Sequence, residues 1–439
     1  MVYAVDLWIC FEQAMKVLLI RPKPHKDTIG LQSVMICEPL ELMELAAVLK
    51  NNDNQVEILD MILEKKSIKH FLERYNPEVV GITGYISHIG IMKDYAKQIK
   101  VMNNKIKVVV GGVHATVCPQ DFTDANIDFV AQSADSFYDF VGCKDKQKQL
   151  PFRALPKRYL EKYYYLFQEN CALIKTSFGC PYACKFCFCK EIAPYGARTI
   201  DEVIEELKTI VQKEVYIVDD DFLFNRNRLI EFADKLKMNN IEKHFLVYGR
   251  ADFIAGNEEV IKTLSEVGLT AVIVGIEASS QEELNAYHKK LQLSDNVLAI
   301  KTLQKYNIEC YATVILGIDW DKKDFNRLYQ FIKENKLVFV NLQPLTPMPH
   351  TPFFEEYKDR LVIPYEEHEK WDMAHLVVKP VKLSVREYYW NIIKLYYKIT
   401  VSPKNIAYMF QRYGVRTTMK LSVGAAKITF QYIKKIWKG

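Results

Sequence analysis

Short apolar runs, each followed by a stretch of helical periodicity, recur along most of this 439-residue chain. That alternation leaves few folds open. A strand, a helix and a further strand in succession give parallel pairing through right-handed crossovers. Two such stretches stand out. In the first, residues 15–142, strands are predicted at KVLLI (16–20), VEILD (56–60), EVVGITGY (78–85) and KVVVGG (107–112), with weaker apolar character at 127–130. Helices are predicted at 40–50, 67–75 and 91–102. In the second, residues 171–355, the strands are ALIKTS (172–177), VYIVDD (215–220), FLVYGR (245–250), AVIVGIE (271–277), YATVILG (311–317) and VFVNLQP (338–344). Six strands with intervening helices suit an incomplete βα barrel, whose strand ends face a common site.

The rest of the chain frames these two units. Residues 143–170 are charged, Pro-containing and Tyr-rich, and read as a linker with one short helix. Residues 356–439 are aromatic, basic and mainly helical in pattern. From Val377 to Gly439 there are thirteen Lys and Arg against one acid, Glu387, while the remainder carries 46 basic and 53 acidic residues. A tail of net +12 on a body of net −7 points to an anionic surface. No apolar run approaches the roughly 20 residues of a membrane span. The opening MVYAVDLWICFEQA has neither the basic start nor the cleavage site of a signal peptide. Met15 looks the more natural beginning, so 1–14 is expected to be a short extension.

Four of the ten cysteines fall within Cys180–Cys189. A secreted disulfide framework would spread them through a small chain, so tight clustering favours a metal site in a reducing cytoplasm. In Cys180-Pro-Tyr-Ala-Cys184-Lys-Phe-Cys187, three thiolates on one loop reach three corners of an iron–sulfur cubane. The fourth iron stays open to chelate a small molecule and pass it an electron. Zinc is the rival, but a structural zinc site wants four closed ligands. Cys189 would have to be the fourth, in a very tight packing.

This loop resembles the defining element of the radical S-adenosylmethionine (SAM) superfamily. The likeness covers 171–355, with Phe186 in the aromatic place before the last cysteine and Thr176-Ser177-Phe178-Gly179 as the entry. It implies a partial (β/α)6 barrel and a [4Fe–4S] cluster on Cys180, Cys184 and Cys187. It also implies reductive cleavage of SAM to methionine and a 5′-deoxyadenosyl radical, with an electron donor of flavodoxin or ferredoxin type. By position on the strands, it assigns SAM contacts to Phe186, Asp219, Asp220, Asp221, Arg250, Glu277 and Ile315. Cys189 is then a bystander.

The first stretch carries Gly111-Gly112-Val113-His114-Ala115-Thr116 after an apolar strand. Paired glycines there let a ligand approach the backbone. This is not the dinucleotide fingerprint, for no acidic partner lies at the right distance. With Tyr75-Asn-Pro-Glu-Val-Val-Gly81-Ile-Thr83 and Glu38-Pro39-Leu40, it resembles the Rossmann-like cobalamin-binding domain that precedes the barrel in one large branch of the superfamily. The resemblance implies cobalamin contacts from Thr83, Tyr85, Gly111, Gly112, His114, Ala115 and Thr116. Asp-x-His-x-x-Gly is absent, so His114 is not expected on cobalt. Ala131-Gln132-Ser133-Ala134-Asp135-Ser136 departs from the branch's Gly-Glu-rich turn.

The resemblance implies a C-methyltransferase that methylates an unactivated carbon of a small-molecule or lipid substrate via methylcobalamin. Radical cyclisation, oxidation or carbon–carbon coupling with the same cofactors, or a non-catalytic iron–sulfur sensor, are the other readings. Trp371-Asp372-Met-Ala-His375 resembles a segment of members that act on lipids or tetrapyrroles. The basic, aromatic C-terminus adds the expectation of peripheral contact with the inner face of a membrane. No nucleic-acid module is present, so no nucleic-acid partner is expected.

Overall fold

The computed structural model describes residues 14–29, 32, 34–155 and 157–438. The extension expected at 1–14 lies outside them apart from Ala14. The chain is α/β and divides into two compact units, one of residues up to Lys26 and Pro39–Tyr159, the other of Asp27–Glu38 and everything from Leu160.

In the first unit five parallel strands line up as Gln55–Asp60, Lys16–Arg21, Val79–Thr83, Lys107–Gly111 and Phe129–Val130. Numbered along the chain, the order is 2-1-3-4-5. This is the doubly wound arrangement in which ligands collect where the order reverses, beyond the carboxyl ends of the strands. The central strands are apolar on both faces because helices cover both: Val80, Val108 and Val110 are fully buried. Helix Leu40–Asn51 contributes Leu42, Met43, Ala46 and Leu49 to that core. Thr83 and Gly111 are register partners at the ends of adjacent strands, so the sheet itself brings two predicted ligand residues together.

In the second unit six parallel strands stand in sequence order: Ala172–Ile174, Glu214–Ile217, His244–Arg250, Leu269–Glu277, Glu309–Leu316 and Phe339–Pro344. They form the staves of the partial barrel. A capping box starts the helix after the cysteine loop: Thr199 accepts from the Glu202 amide, and the Glu202 carboxylate accepts from the Thr199 amide at 2.8 Å.

Two parts of this unit do not follow from linear spacing. Asp27–Glu38 leaves the first unit to join the second. There Met35–Ile36 pairs with Tyr164–Tyr165, the Ile29 amide donates to Asp372 (2.6 Å), and the Leu173 amide donates to Glu38 (2.7 Å). The segment read as a linker also does more than connect. Besides the short helix Lys157–Leu160, it forms a hairpin, Tyr164–Tyr165 with Gln168–Glu169. The Tyr165 ring stands 5.0 Å from Tyr216 and 6.3 Å from Tyr311, inside the barrel.

The C-terminal region is helical, as its pattern predicts. Helix Val385–Thr400 lies on the barrel, with the buried Tyr388 hydroxyl at hydrogen-bonding distance from two carbonyls, Leu316 (3.1 Å) and Gly317 (2.9 Å), at the end of the fifth strand. Helix Pro403–Lys438 follows, kinked at Gly414, whose φ of 73° suits a residue without Cβ. Tyr388→Phe leaves both carbonyls without this donor. It should cost about 1–2 kcal/mol and lower the melting temperature by a few degrees, while the same change at the exposed Tyr397 should leave the melt unchanged.

Candidate active site

The cysteine loop starts where the first barrel strand ends, and its path is set by Asp219 on the neighbouring strand end. One Asp219 oxygen accepts from the Thr176 amide (2.6 Å), and the other from the Thr176 and Ser177 hydroxyls (2.6 and 2.7 Å). Gly179 turns the chain at φ 65°, with no room for a side chain: an added Cβ would lie 2.4 Å from the Ala193 carbonyl. Phe178 pairs with Gly196 in a two-residue ladder that closes the loop at its base. Cys180, Cys184 and Cys187 are all partly exposed, and no disulfide ties them.

Burial pushes the Cys180 thiol up to about 11. Burial also raises Cys184, opposed by Lys289 and Arg250. In the metal-free chain these two sulfurs therefore keep their protons, and metal binding must expel them. Three sulfurs on a fixed loop, with cations beside one of them, fit a [4Fe–4S] cluster with one open iron.

Around this loop the strand ends deliver charged groups from inside the barrel. Arg250 closes the third strand. Its guanidinium forks onto Asp252 (3.0 and 2.9 Å), donates to the Lys289 carbonyl (2.7 Å), reaches Cys184 Sγ at 3.8 Å and lies 3.9 Å over the Tyr182 ring. Glu277 closes the fourth strand at φ 61°, where the register slips against the fifth strand. Such an irregularity re-aims a side chain, and a non-glycine residue in this region is strained. Glu277 is thereby brought to 2.9 Å from Lys289 Nζ. Gly275 makes room, since a Cβ there would lie 2.3 Å from the Glu277 carboxylate. Burial pulls against the Lys289 proton, but Glu277 and Cys184 hold it and the net shift is upward.

Asp221 differs from its neighbours. It is 4% exposed, and neither carboxylate oxygen makes a well-formed hydrogen bond among the described residues. Desolvation pushes it up to about 7, against the pull of Arg250 and Lys289. A buried acid with no well-formed hydrogen bond among the described residues, beside Cys180, suits an incoming ammonium group.

The predicted SAM residues thus separate by role. Asp221, Arg250 and Glu277 gather around the cysteine loop. Phe186 packs edge-on to Tyr287 at 5.9 Å, and Ile315 is buried on the fifth strand. Asp219 turns its oxygens inward onto Thr176 and Ser177, and so positions the loop. Asp220 lies between them, half-buried. Sequence reasoning missed Lys289, for which the chain offers no local signal, and Asp252, which the Arg-x-Asp spacing could have flagged.

In the first unit Gly112, at φ 97°, approaches the third-strand end so closely that a Cβ would lie 2.7 Å from Thr83 Oγ1 and 2.8 Å from the Gly84 carbonyl. Thr116 Oγ1 donates to the Gln132 carbonyl (2.9 Å), and Tyr85 is exposed. The loop backbone thus lies directly against the end of the third strand. His114 and Ala115 face the other way. Ala115 is fully buried, and His114 Nε2 sits 2.7 Å from Asp121.

Comparison with known proteins gives two family matches: the B12 binding domain over residues 27–138, and the radical SAM superfamily over residues 174–332. Hopanoid C-3 methylase of Methylococcus capsulatus is 25% identical over 415 residues, covering 87% of this chain and 79% of the methylase. Among solved structures, the cobalamin-dependent SAM radical enzyme OxsB matches 96% of this chain and 72% of its own, at TM-score 0.67 and 14% identity. The radical SAM methyltransferase TsrM from Kitasatospora setae matches 96% of this chain and all of its own, at TM-score 0.64 and 14% identity. At such identities the structural likeness is one of fold.

Two outcomes test the site. Ala in place of Cys180, Cys184 or Cys187 should abolish iron retention on anaerobic reconstitution, whereas Cys189→Ala should keep the iron. In the metal-free chain, the raised Asp221 stabilises the fold fully below about pH 4, and that contribution is lost as pH rises through about 7. Asp221→Asn should therefore raise stability at pH 8, by about 4 kcal/mol at most. The gain should shrink steadily towards pH 4 in denaturant titrations.

Proposed function

The chain belongs to the cobalamin-binding branch of the radical SAM superfamily, and from that premise we propose that it methylates an unactivated carbon of a lipid or isoprenoid-like substrate. The observation that carries this is the tandem of a B12-binding domain and a three-cysteine loop at the mouth of a six-stranded barrel. When bound, the cluster supplies the electron that cleaves SAM to methionine and a 5′-deoxyadenosyl radical, and cobalamin supplies the methyl group.

The chain's own residues do the rest. Cys180, Cys184 and Cys187 hold the cluster, and Asp219 keeps their loop in place. Asp221, with Asp220 beside it, receives the SAM ammonium. Arg250 and the Glu277–Lys289 pair orient the rest of the methionine moiety and ribose, while Phe186 and Ile315 provide apolar walls. Gly111, Gly112, Thr83, Tyr85 and Thr116 cradle cobalamin. A single-electron donor of flavodoxin or ferredoxin type supplies the reductant.

The lipid side of the reading rests on the similarity to a hopanoid methylase and on the basic C-terminus. No helix among the described residues is long and apolar enough to cross a membrane. On the strength of the basic C-terminus, the reading includes peripheral contact with the inner face of a membrane.

The test is an anaerobic assay of reconstituted protein with cobalamin, a low-potential reductant and SAM deuterated in its methyl group. The substrate pool is a lipid extract from a strain lacking the gene. Release of 5′-deoxyadenosine together with a lipid bearing one trideuteromethyl group is expected. 5′-Deoxyadenosine without label transfer would replace methylation by another radical reaction, and no 5′-deoxyadenosine at all would leave an iron–sulfur sensor.

A further inference from the structure

A helix that merely packs on a barrel has one apolar face, and that face is buried. The last helix, Pro403–Lys438, has two. Beyond its kink, Thr418, Leu421 and Tyr432 are buried, with the Tyr432 ring 5.8 Å from Tyr389 of the preceding helix. At about 100° per residue these three positions fall on one side of the helix. Val415, Met419, Val423 and Phe430 fall on the other, within an arc of about 80°, and they are 61%, 58%, 55% and 68% exposed. Along one edge of this second stripe run Arg416, Lys427 and Lys434, all exposed, with no carboxylate partner among the described residues.

The preceding helix repeats the pattern. Tyr388, Tyr389, Ile392, Leu395 and Ile399 are buried, whereas Trp390, Tyr397 and Val401 share an exposed face. Lys394 lies 5.6 Å from the Trp390 ring. Exposed Trp and Tyr beside lysines suit the boundary between water and hydrocarbon.

We infer that these two helices form a docking surface for an anionic lipid bilayer, with the second apolar stripe seated among the acyl chains and the flanking cations on the headgroups. The inference deepens the membrane-side part of the function proposed above and rests on it. Charge selects the occupant. A second copy would bring another tail of net +12 against this one, and nucleic acid would leave the apolar stripe unmatched. An anionic bilayer answers both features at once.

The experiment is co-sedimentation of the full-length, cluster-reconstituted protein with vesicles of phosphatidylcholine alone or mixed with phosphatidylglycerol. Binding to the mixed vesicles, weak binding to the neutral ones, and loss in high salt are expected. The triple variant R416Q/K427Q/K434Q should bind about 100-fold more weakly, on the order of fivefold per charge. M419E/V423E/F430E should abolish binding while keeping helicity and melting temperature, because these side chains are mostly exposed. Failure of the parent to bind anionic vesicles, or binding by either variant as tight as the parent's, would overturn the proposal. So would a parent that dimerises in solution through this stripe and is made monomeric by M419E/V423E/F430E. Release of 5′-deoxyadenosine and transfer of label are read in the same samples. Label transfer without vesicle binding removes the docking surface and keeps the activity, and vesicle binding without label transfer does the reverse.

Discussion

A loop that must hold three cysteines in one geometry cannot be held by those cysteines before the metal arrives. In this protein Asp219 holds it. Its buried carboxylate accepts from the Thr176 amide and two hydroxyls at the point where the chain leaves the first strand, which fixes the start of the loop at three points. Arg228 adds a second hold, donating to the Thr176 and Arg198 carbonyls. The loop is thereby shaped by the neighbouring strand rather than by its own sequence. This is why it can present sulfurs that are half open to solvent without collapsing onto the barrel.

Charge at the barrel mouth is organised in the same spirit. Arg250 and Lys289 are buried cations, and each is answered: Arg250 by Asp252, Lys289 by Glu277. Asp221 is the acid left over. An uncompensated buried carboxylate costs stability, and it is tolerable where a ligand's positive charge completes the set. The strained backbone at Glu277, and the glycine two residues before it, belong to this arrangement, because they place the acid that keeps Lys289 charged beside Cys184.

Much of this was legible in the sequence. Parallel strands covered on both faces write themselves as short apolar runs, so all six barrel strands lie where the pattern puts them. The cysteine spacing named the cluster. What the pattern could not carry was partnership. Asp219, Asp220 and Asp221 are one acidic run in the sequence, yet the first holds a loop and the third is buried with no well-formed hydrogen bond among the described residues. Lys289 sits among charged residues that look like a solvated turn, and only the fold buries it. His114 stands in a ligand-binding motif and is turned away by Asp121. In the tail, the aromatic and basic helical pattern could not say which apolar residues would be covered, and the exposed stripe is visible only once Thr418, Leu421 and Tyr432 are seen to be buried.

The excursion of Asp27–Glu38 has a consequence for how the protein is made. Thr28 donates to the Glu369 carbonyl across 341 residues of chain, so a segment near the start of synthesis waits for almost the last of it. The first unit encloses its own sheet long before, but the second cannot complete its edge at Met35–Ile36 from its contiguous residues alone. No single cut yields two whole units. A fragment beginning at Leu160 lacks a strand, and one ending at Tyr159 carries that strand with nothing to pair it. Long-range closure of this kind is slow, and it makes the three-stranded sheet of Met35–Ile36 with the hairpin depend on residues far apart in the chain, while the six barrel strands all come from beyond Leu160.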